Sequence, residues 1–392
     1  MTSRATTRVS VDARMSDRGP VQFESAARLL RFAVVLGLIY LFLAGVSSLE
    51  GGIKVMGADT QERLFSNVSH PIAGLFIGLL GTVLVQSSSA STSVIVGLVA
   101  SGALGLEAAV PMIMGANLGT TVTNTLVSLG HVRQSNEFRR ALAAATVHDF
   151  FNVMAVIVLL PFELATGLLS RLATGTADLL IGSGGAEWES PLKALVKAPV
   201  SALKDGLKSA GFDGNALGIS MVAVGLVVVL ISLISITKNM KQLIAARLER
   251  SMNRVLGRGG GIVAIIVGIL VTVAVQSSSI TTSILIPMSA AGVITLRNAY
   301  PVTLGANVGT TITALLAAMA ASGSDALSIA LVHTWFNVIG ILVLFGIPFL
   351  RPLPIRAAEL LAEVAVRRRT FAFVWVLGMF IIVPLIGVAI FR

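Results

Sequence analysis

The sequence predicts an all-α integral membrane protein built from two inverted-topology repeats, each with a re-entrant helical hairpin and a broken transmembrane helix. Three observations predict it: an apolar composition, an internal duplication, and a lopsided distribution of basic residues. Of 392 residues, 55% are hydrophobic and 12% charged, about half the roughly 25% charged share of a soluble domain. Mean hydropathy is +0.89. Apolar surface in such excess has to face lipid. This excludes a cytosolic enzyme, a disordered protein and a nucleic-acid-binding protein, despite a formal charge of +10. The chain has 0 cysteines, so it has no disulfide framework, thiolate metal site or cysteine nucleophile.

Residues 1–30 are polar and carry Arg4, Arg8, Arg14, Arg18 and Arg28. They read as a disordered cytoplasmic tail without a cleaved signal. Leu29 to Leu49 is an apolar run of about 20 residues, enough for a bilayer core of about 30 Å and too long for a signal segment. It opens repeat 1, residues 31–166.

Gln86-Ser87-Ser88-Ser89 recurs as Gln276-Ser277-Ser278-Ser279, an offset of 190. At the same offset Gly115-Ala116-Asn117-Leu118-Gly119-Thr120-Thr121 recurs as Gly305-Ala306-Asn307-Val308-Gly309-Thr310-Thr311. Residues 81–125 and 271–315 share 21 identities in 45 positions. A third block, His148-Asp149-Phe150-Phe151-Asn152, returns at offset 185 as His333-Thr334-Trp335-Phe336-Asn337. A duplicated unit this long is half of one membrane fold, not a solenoid repeat.

Residues 71–100 form an apolar stretch of 30 residues around the first Gln-Ser-Ser-Ser. One span takes about 20 residues and two spans with a turn over 40. Thirty fits a re-entrant hairpin of two half-helices, each about 21 Å long, with the polar motif at its tip. Non-helical backbone at that depth has to be covered by protein or water. Residues 105–130 have one span's length but are interrupted at 115–121, which predicts a broken helix. Residues 141–162 make a full span ending near Pro161. A polar linker, 167–214, leads to repeat 2, residues 215–350. There a span at 216–237, a hairpin at 262–292, a broken helix at 296–321 and a span at 326–349 copy the scheme. Residues 351–392 hold a basic cytoplasmic segment and a last span at 371–391.

Each repeat thus crosses three times. An odd number joined by a polar linker inverts the second half. With the N-terminus inside, 21 of the 29 Lys and Arg fall on inner segments: 1–31, 131–140, 238–258, Arg297 and 351–369. The other eight are Lys54, Arg63, Arg171, Lys193, Lys197, Lys204, Lys208 and Arg392. This bias follows the positive-inside rule and puts the C-terminus outside.

Inverted repeats with paired discontinuous segments mark secondary transporters, whose cargo binds where the breaks meet. Half-helix ends offer free N–H groups and a positive dipole to an anion. The two tips, with Thr120 and Thr310, are therefore the candidate anion ligands. Carbonyls freed at the breaks, the amides Asn117 and Asn307, and the hydroxyls Thr121, Thr311, Thr92 and Thr282 are hard oxygen donors suited to Na⁺. No basic residue lies in either tip or break, so an anion there needs co-bound cations, a physical reason for obligate coupling. Asn152 and Asn337 read either as ligands or as interhelical glue, and His148 and His333 as packing or orienting residues. Asp149 is read as the one acid within a span. An intramembrane carboxylate is functional by default, unless it lies at the inner interface. A serine hydrolase using Ser88, His148 and Asp149 is disfavoured, because adjacent residues diverge by about 100° on a helix. A channel would not need paired hairpins.

Together, the paired Gln-Ser-Ser-Ser motifs, Glu137-Phe138-Arg139-Arg140 through Val147-His148-Asp149-Phe150-Phe151-Asn152, and Gly292-Val293-Ile294-Thr295 through Ala299-Tyr300-Pro301 resemble the type II sodium–phosphate cotransporter family. The resemblance implies Na⁺-coupled symport of inorganic phosphate, preferably divalent, held between the tips. Arsenate, sulfate or a small carboxylate are the alternative cargoes. Asp149 matches the Asp of electrogenic members, implying a third sodium. Asn152 matches a sodium-site Asn, and Thr310 a Thr at another sodium site. The implied phosphate ligands are Gln86, Ser87, Ser88, Ser89, Gln276, Ser277, Ser278, Ser279, Thr120 and Thr310. The implied sodium ligands are Asp149, Asn152, Asn117, Thr121, Asn307, Thr310, Thr311, Asn337, Thr92 and Thr282. Ala306, His131 and Gln134 depart from the vertebrate pattern of Ser, Gln and Asp, and the linker lacks the vertebrate disulfide. The short linker and tail resemble bacterial members, implying a bacterial inner membrane. A functional monomer without a resident cofactor is expected, with Na⁺, phosphate and the bilayer as partners.

Overall fold

The computed structural model describes residues 19–57, 60, 70–181, 191–256 and 261–391. The tail at 1–18, residues 182–190 of the linker, Arg63, Arg258 and Arg392 lie outside the described residues. All regular secondary structure among the described residues is helical. In chain order it runs α1 (Gly19–Met56), α2 (Pro71–Val85), α3 (Ser88–Ala100), α4 (Leu106–Gly119), α5 (Val122–Ser128), α6 (Ser135–Thr166), α7 (Leu168–Ile181) and α8 (Pro191–Ser209). It continues with α9 (Gly214–Leu256), α10 (Gly261–Val275), α11 (Ser278–Ala290), α12 (Leu296–Ala320), α13 (Ser324–Leu344), α14 (Pro352–Arg367), α15 (Thr370–Leu377) and α16 (Val383–Phe391). A π turn, Gly378–Ile382, joins the last two.

Among the described residues, 6 helices are long and apolar enough to cross a membrane: Leu29–Met56, Ser135–Thr166, Gly214–Leu243, Leu296–Ala320, Ser324–Leu344 and Thr370–Phe391. The remaining expected crossing is α4 with α5, whose pieces of 14 and 7 residues are each too short alone. Large side chains such as Ile157 (65% exposed), Leu342 (62%) and Ile390 (67%) stand on the outer surface, as lipid-facing residues must. The polar residues are inside instead.

The duplication is visible in how the helices touch. Gly78 and Gly115 let α2 and α4 pack backbone to backbone, and a Cβ on either would overlap the carbonyl of Met112 or Leu75. At offset 190, Gly268 and Gly305 do the same for α10 and α12, against the carbonyls of Val302 and Ile265. Small residues at close crossings are the usual means of helix association in lipid. The first helices of the two halves also meet. Gly45 abuts Gly225 and Gly52 abuts Gly218, a descending register that makes α1 and α9 antiparallel.

Two expectations are corrected. The second broken helix is not broken, since α12 runs unbroken from Leu296 to Ala320 through Gly305–Thr311. Both copies carry Gly-Thr-Thr with hydroxyls bonded back to the helix, so that motif alone does not break the backbone. The copies differ just beyond it. Asn124 accepts hydrogen bonds from Thr282 and Ser283, and Thr125 donates to Asp149. Beside these partners the helical ladder is interrupted: Thr120 and Thr121 keep right-handed helical angles, but the Thr120 and Asn124 amides bond to carbonyls three residues back, Asn117 and Thr121. The equivalent residues, Ala314 and Leu315, are strong helix formers and the helix continues. Second, α6 passes through Pro161 and stops at Gly167, which is left-handed with φ 62. The linker, 167–214, contains α7 and α8.

Two polar clusters mark opposite ends of the bundle. At one, Lys193 donates to Ser322 and Ser322 to Glu50, which also accepts from Lys54 at 2.7 Å. This joins the end of α1, the start of α8 and the α12–α13 turn. At the other, Arg140 donates to the Ala290 carbonyl at 2.8 Å, joining the start of α6 to the α11–α12 turn beside Glu359 and Glu363.

Candidate functional site

Each hairpin tip is built by its glutamine. Gln86 and Gln276 adopt φ of 56 and 57, the only non-glycine residues with positive φ among those described. A left-handed residue with a Cβ costs about 1–2 kcal/mol, and the Gln side chain offsets it at both ends. Gln86 Nε2 donates to the Val83 carbonyl at 2.5 Å, and its Oε1 accepts from Thr123 at 3.0 Å. Gln276 repeats this with Val273 at 2.7 Å and Thr313 at 2.9 Å. Both amides are thus engaged in shaping the turn and tying it to the neighbouring helix. Ser87 and Ser277 follow in extended conformation and cap α3 and α11, accepting from Ala90 and Ile280. Side-chain capping uses one N–H of each helix start and leaves others open.

The tips converge on one cavity of about 470 Å³, lined by Gln86–Ser89 and Gln276–Ile280. Ser88 and Ser278 are 4% and 3% exposed. No partner for either hydroxyl occurs among the described residues. The predicted anion ligands of the two halves therefore share one space, except Thr120 and Thr310. Their hydroxyls bond back to Ala116 and Ala306 in their own helices. The rest of the wall is a face of α9 carrying Lys238 and Lys241. Reading the tips and breaks alone missed these cations. Their spacing of three after Leu230, Leu233 and Ile234 is the available signal, one continuous helical stripe.

Most of the predicted sodium ligands fall into two other groups. Four asparagines close a ring between the halves. Asn117 Nδ2 donates to Asn337 Oδ1 at 2.9 Å, and Asn337 Nδ2 to the Asn307 carbonyl at 3.4 Å. Asn307 Nδ2 donates to Asn152 Oδ1 at 2.7 Å, and Asn152 Nδ2 to the Asn117 carbonyl at 3.1 Å. His148 Nε2 donates to Asn307 Oδ1, and His333 Nε2 to Asn117 Oδ1. All six residues are at most 1% exposed. The histidines orient the amides, and the ring is made of the same residues from each repeat.

Asp149 lies elsewhere, fully buried. Its Oδ2 accepts from Thr125 at 3.3 Å and Trp375 Nε1 at 3.4 Å, with the Thr121 hydroxyl alongside. Oδ1 has no hydrogen-bond partner among the described residues. A buried charge without full compensation is costly, and hydroxyls around an open carboxylate oxygen are donors that a hard cation accepts. Thr282 bridges to Asn124 at 2.9 Å, close to this group. Thr92 and Thr311 bond to carbonyls of their own helices. Asp149 is not the only acid within a candidate span. Glu50 and Glu163 are 3% and 7% exposed, and Glu163 caps α7 through the Leu169 and Ser170 amides. Their apolar runs extend beyond the spans read from sequence, which hid both.

The description Na⁺/Pi-cotransporter belongs to the family model that matches residues 41–182 and 214–351, the two halves without the linker core. Sodium-dependent phosphate transport protein 2A of Rattus norvegicus is 35% identical across 91% of this chain and 67% of its own length. Sodium-dependent phosphate transport protein 2B is 34% identical in Pongo abelii and in Homo sapiens, across 91% of this chain and 64% of each relative. The chain thus spans about two thirds of the length of these relatives. No solved structure matches it significantly. The chain belongs to the Na⁺/Pi-cotransporter family.

Proposed function

We propose that this protein is a secondary active transporter that couples downhill Na⁺ movement to uptake of inorganic phosphate, chiefly the divalent ion, by alternating access. One observation carries the reading: both Gln-Ser-Ser-Ser tips face the same cavity, each with a buried serine hydroxyl open to it. Two helix starts and two hydroxyls are a donor set for a small oxyanion. The relatives' names add sodium and phosphate.

The two halves act as inverted repeats with re-entrant hairpins. The antiparallel pairing of α1 and α9, equivalent helices of the two halves, supports this. So do the two end clusters. Lys54, Lys193 and Ser322 meet at one end, and Arg140 with the 290–297 turn at the other, the grouping that the positive-inside rule assigns to outside and inside. The N-terminus is then cytoplasmic and the C-terminus outside, in a bacterial inner membrane. The cavity is built within one chain, which supports a monomer as the transporting unit.

Sodium binds at Asp149 with Thr121, and at the asparagine crossing, where Asn117, Asn152, Asn307 and Asn337 exchange amide contacts for the ion. Asp149 Oδ1 supplies the charge for a third Na⁺, making the cycle electrogenic. Arsenate, which shares the shape and charge of phosphate, is transported too.

The test is uptake of labelled phosphate into proteoliposomes under an inward Na⁺ gradient and then an inward K⁺ gradient. Uptake under Na⁺ alone supports the reading. Equal uptake under both removes the coupling.

A further inference from the structure

The cavity between the tips has an asymmetric wall. Along one stripe of α9 its lining passes from Leu230, Leu233 and Ile234 through Thr237 to Lys238 and Lys241. Among the described residues that line it, the two lysines are the charged ones. Both are exposed, one turn apart on the same helix face. Lys241 also lines the adjoining cavity with Ala291 and Val293, in the α11–α12 turn beside Gly292 and Arg140. The cationic end of the tip cavity therefore lies toward the Arg140 end of the bundle, away from the Glu50–Ser322 cluster.

We infer that Lys238 and Lys241 form a phosphate-oxyanion recognition site at the inner mouth of the tip cavity. The inference rests on the phosphate reading above. The tips themselves are neutral, so a divalent anion leaving them toward the inside meets two positive charges at the mouth. Low-dielectric walls of Leu and Ile focus such a field, and steering of this kind changes on-rates by about 10–1,000-fold. The lysines raise local phosphate at one side only, so they set inner affinity. What the mouth supplies is positive charge on flexible stems, a feature that Lys and Arg share.

Lysines at a membrane boundary also bind lipid headgroups, whose phosphate offers the same chemistry. Liposomes of phosphatidylcholine alone and with added phosphatidylglycerol separate the two sources. The experiment measures half-saturation for labelled phosphate from each side in oriented proteoliposomes, for wild type, Lys238→Gln with Lys241→Gln, and Lys238→Arg with Lys241→Arg. The expected result is an inner half-saturation raised about tenfold in the Gln pair, in keeping with the lower end of electrostatic steering. The outer value should stay within about twofold of wild type, and the Arg pair should retain wild-type behaviour. The inner value of wild type should also rise with ionic strength, and that of the Gln pair should not. Each variant is first checked for wild-type melting temperature, and single Gln variants replace a pair that fails to fold. An unchanged inner value, an equal rise on both sides, or an effect confined to liposomes containing phosphatidylglycerol overturns the inference. Wild type that carries no phosphate from either side overturns the functional reading itself, a distinct outcome.

Discussion

Asn307 donates a 2.7 Å hydrogen bond to Asn152, and this contact ties the second half of the chain to the first at its buried centre. Its counterpart, Asn117 to Asn337, runs the opposite way at 2.9 Å. The ring thus ties α4 and α6 of the first half to α12 and α13 of the second. Asn152→Ala should lower the melting temperature in detergent. It should also raise the sodium half-saturation, since the amide serves both roles. A double-mutant cycle between Asn152 and Asn307 should give a coupling of about 0.6–1.7 kcal/mol, the range for hydrogen bonds between membrane helices. A normal sodium response in a destabilised Asn152→Ala protein would leave the ring as glue only.

The glutamine tips predict an order of substitutions. Gln86→Ala keeps the left-handed strain and loses both side-chain contacts. Gln86→Gly loses the contacts but relieves the strain, worth about 1 kcal/mol. Melting temperature should therefore fall in the order Gln, Gly, Ala, and the same order should hold at Gln276, which has the same φ and partners. An Ala variant as stable as Gly would show that the turn carries no such strain.

Gly115→Ala should prevent accumulation of folded protein, because the added methyl would occupy the position of the Leu75 carbonyl. Gly81→Ala, with nothing within 4 Å of the new atom, should be neutral or stabilising by up to about 1 kcal/mol. Size-exclusion chromatography of the two variants side by side checks this. A monodisperse Gly115→Ala protein would contradict the close packing of α2 on α4.

Much of this was legible in the sequence, for identifiable reasons. The tips were, because 30 apolar residues around Gln-Ser-Ser-Ser fit neither one span nor two. The pairing of the halves was, because Asn117, Asn152, Asn307 and Asn337 recur in register. Continuity of α12 was not, since Gly-Thr-Thr is shared and the break depends on what Asn124 and Thr125 reach in space. Lys238 and Lys241 were missed because they approach the tips from a helix some 150 positions after the first of them. Glu50 directly follows the apolar run Leu29 to Leu49 in sequence, yet the span continues to Met56 and Ser322 meets it from a distant turn.

Asp149 carries the electrical prediction. Three Na⁺ with one divalent phosphate move one net charge, worth about 2.3 kcal/mol per 100 mV. Asp149→Asn preserves size and removes the charge that faces Thr125 and Trp375. Paired current and tracer flux should show phosphate uptake retained in part, the current lost and the sodium Hill coefficient lowered. Full current per phosphate in the variant would place the third sodium elsewhere.

The most direct test is of the shared cavity itself. Labelled phosphate uptake under a Na⁺ gradient is measured for wild type, Ser88→Ala and Ser278→Ala, each confirmed folded by its melting temperature. A hydrogen bond to a charged group is worth about 1.5–3 kcal/mol, so each single change should reduce uptake at least about tenfold, and by similar amounts in both halves. Full uptake in either variant would contradict a single phosphate site built from both tips.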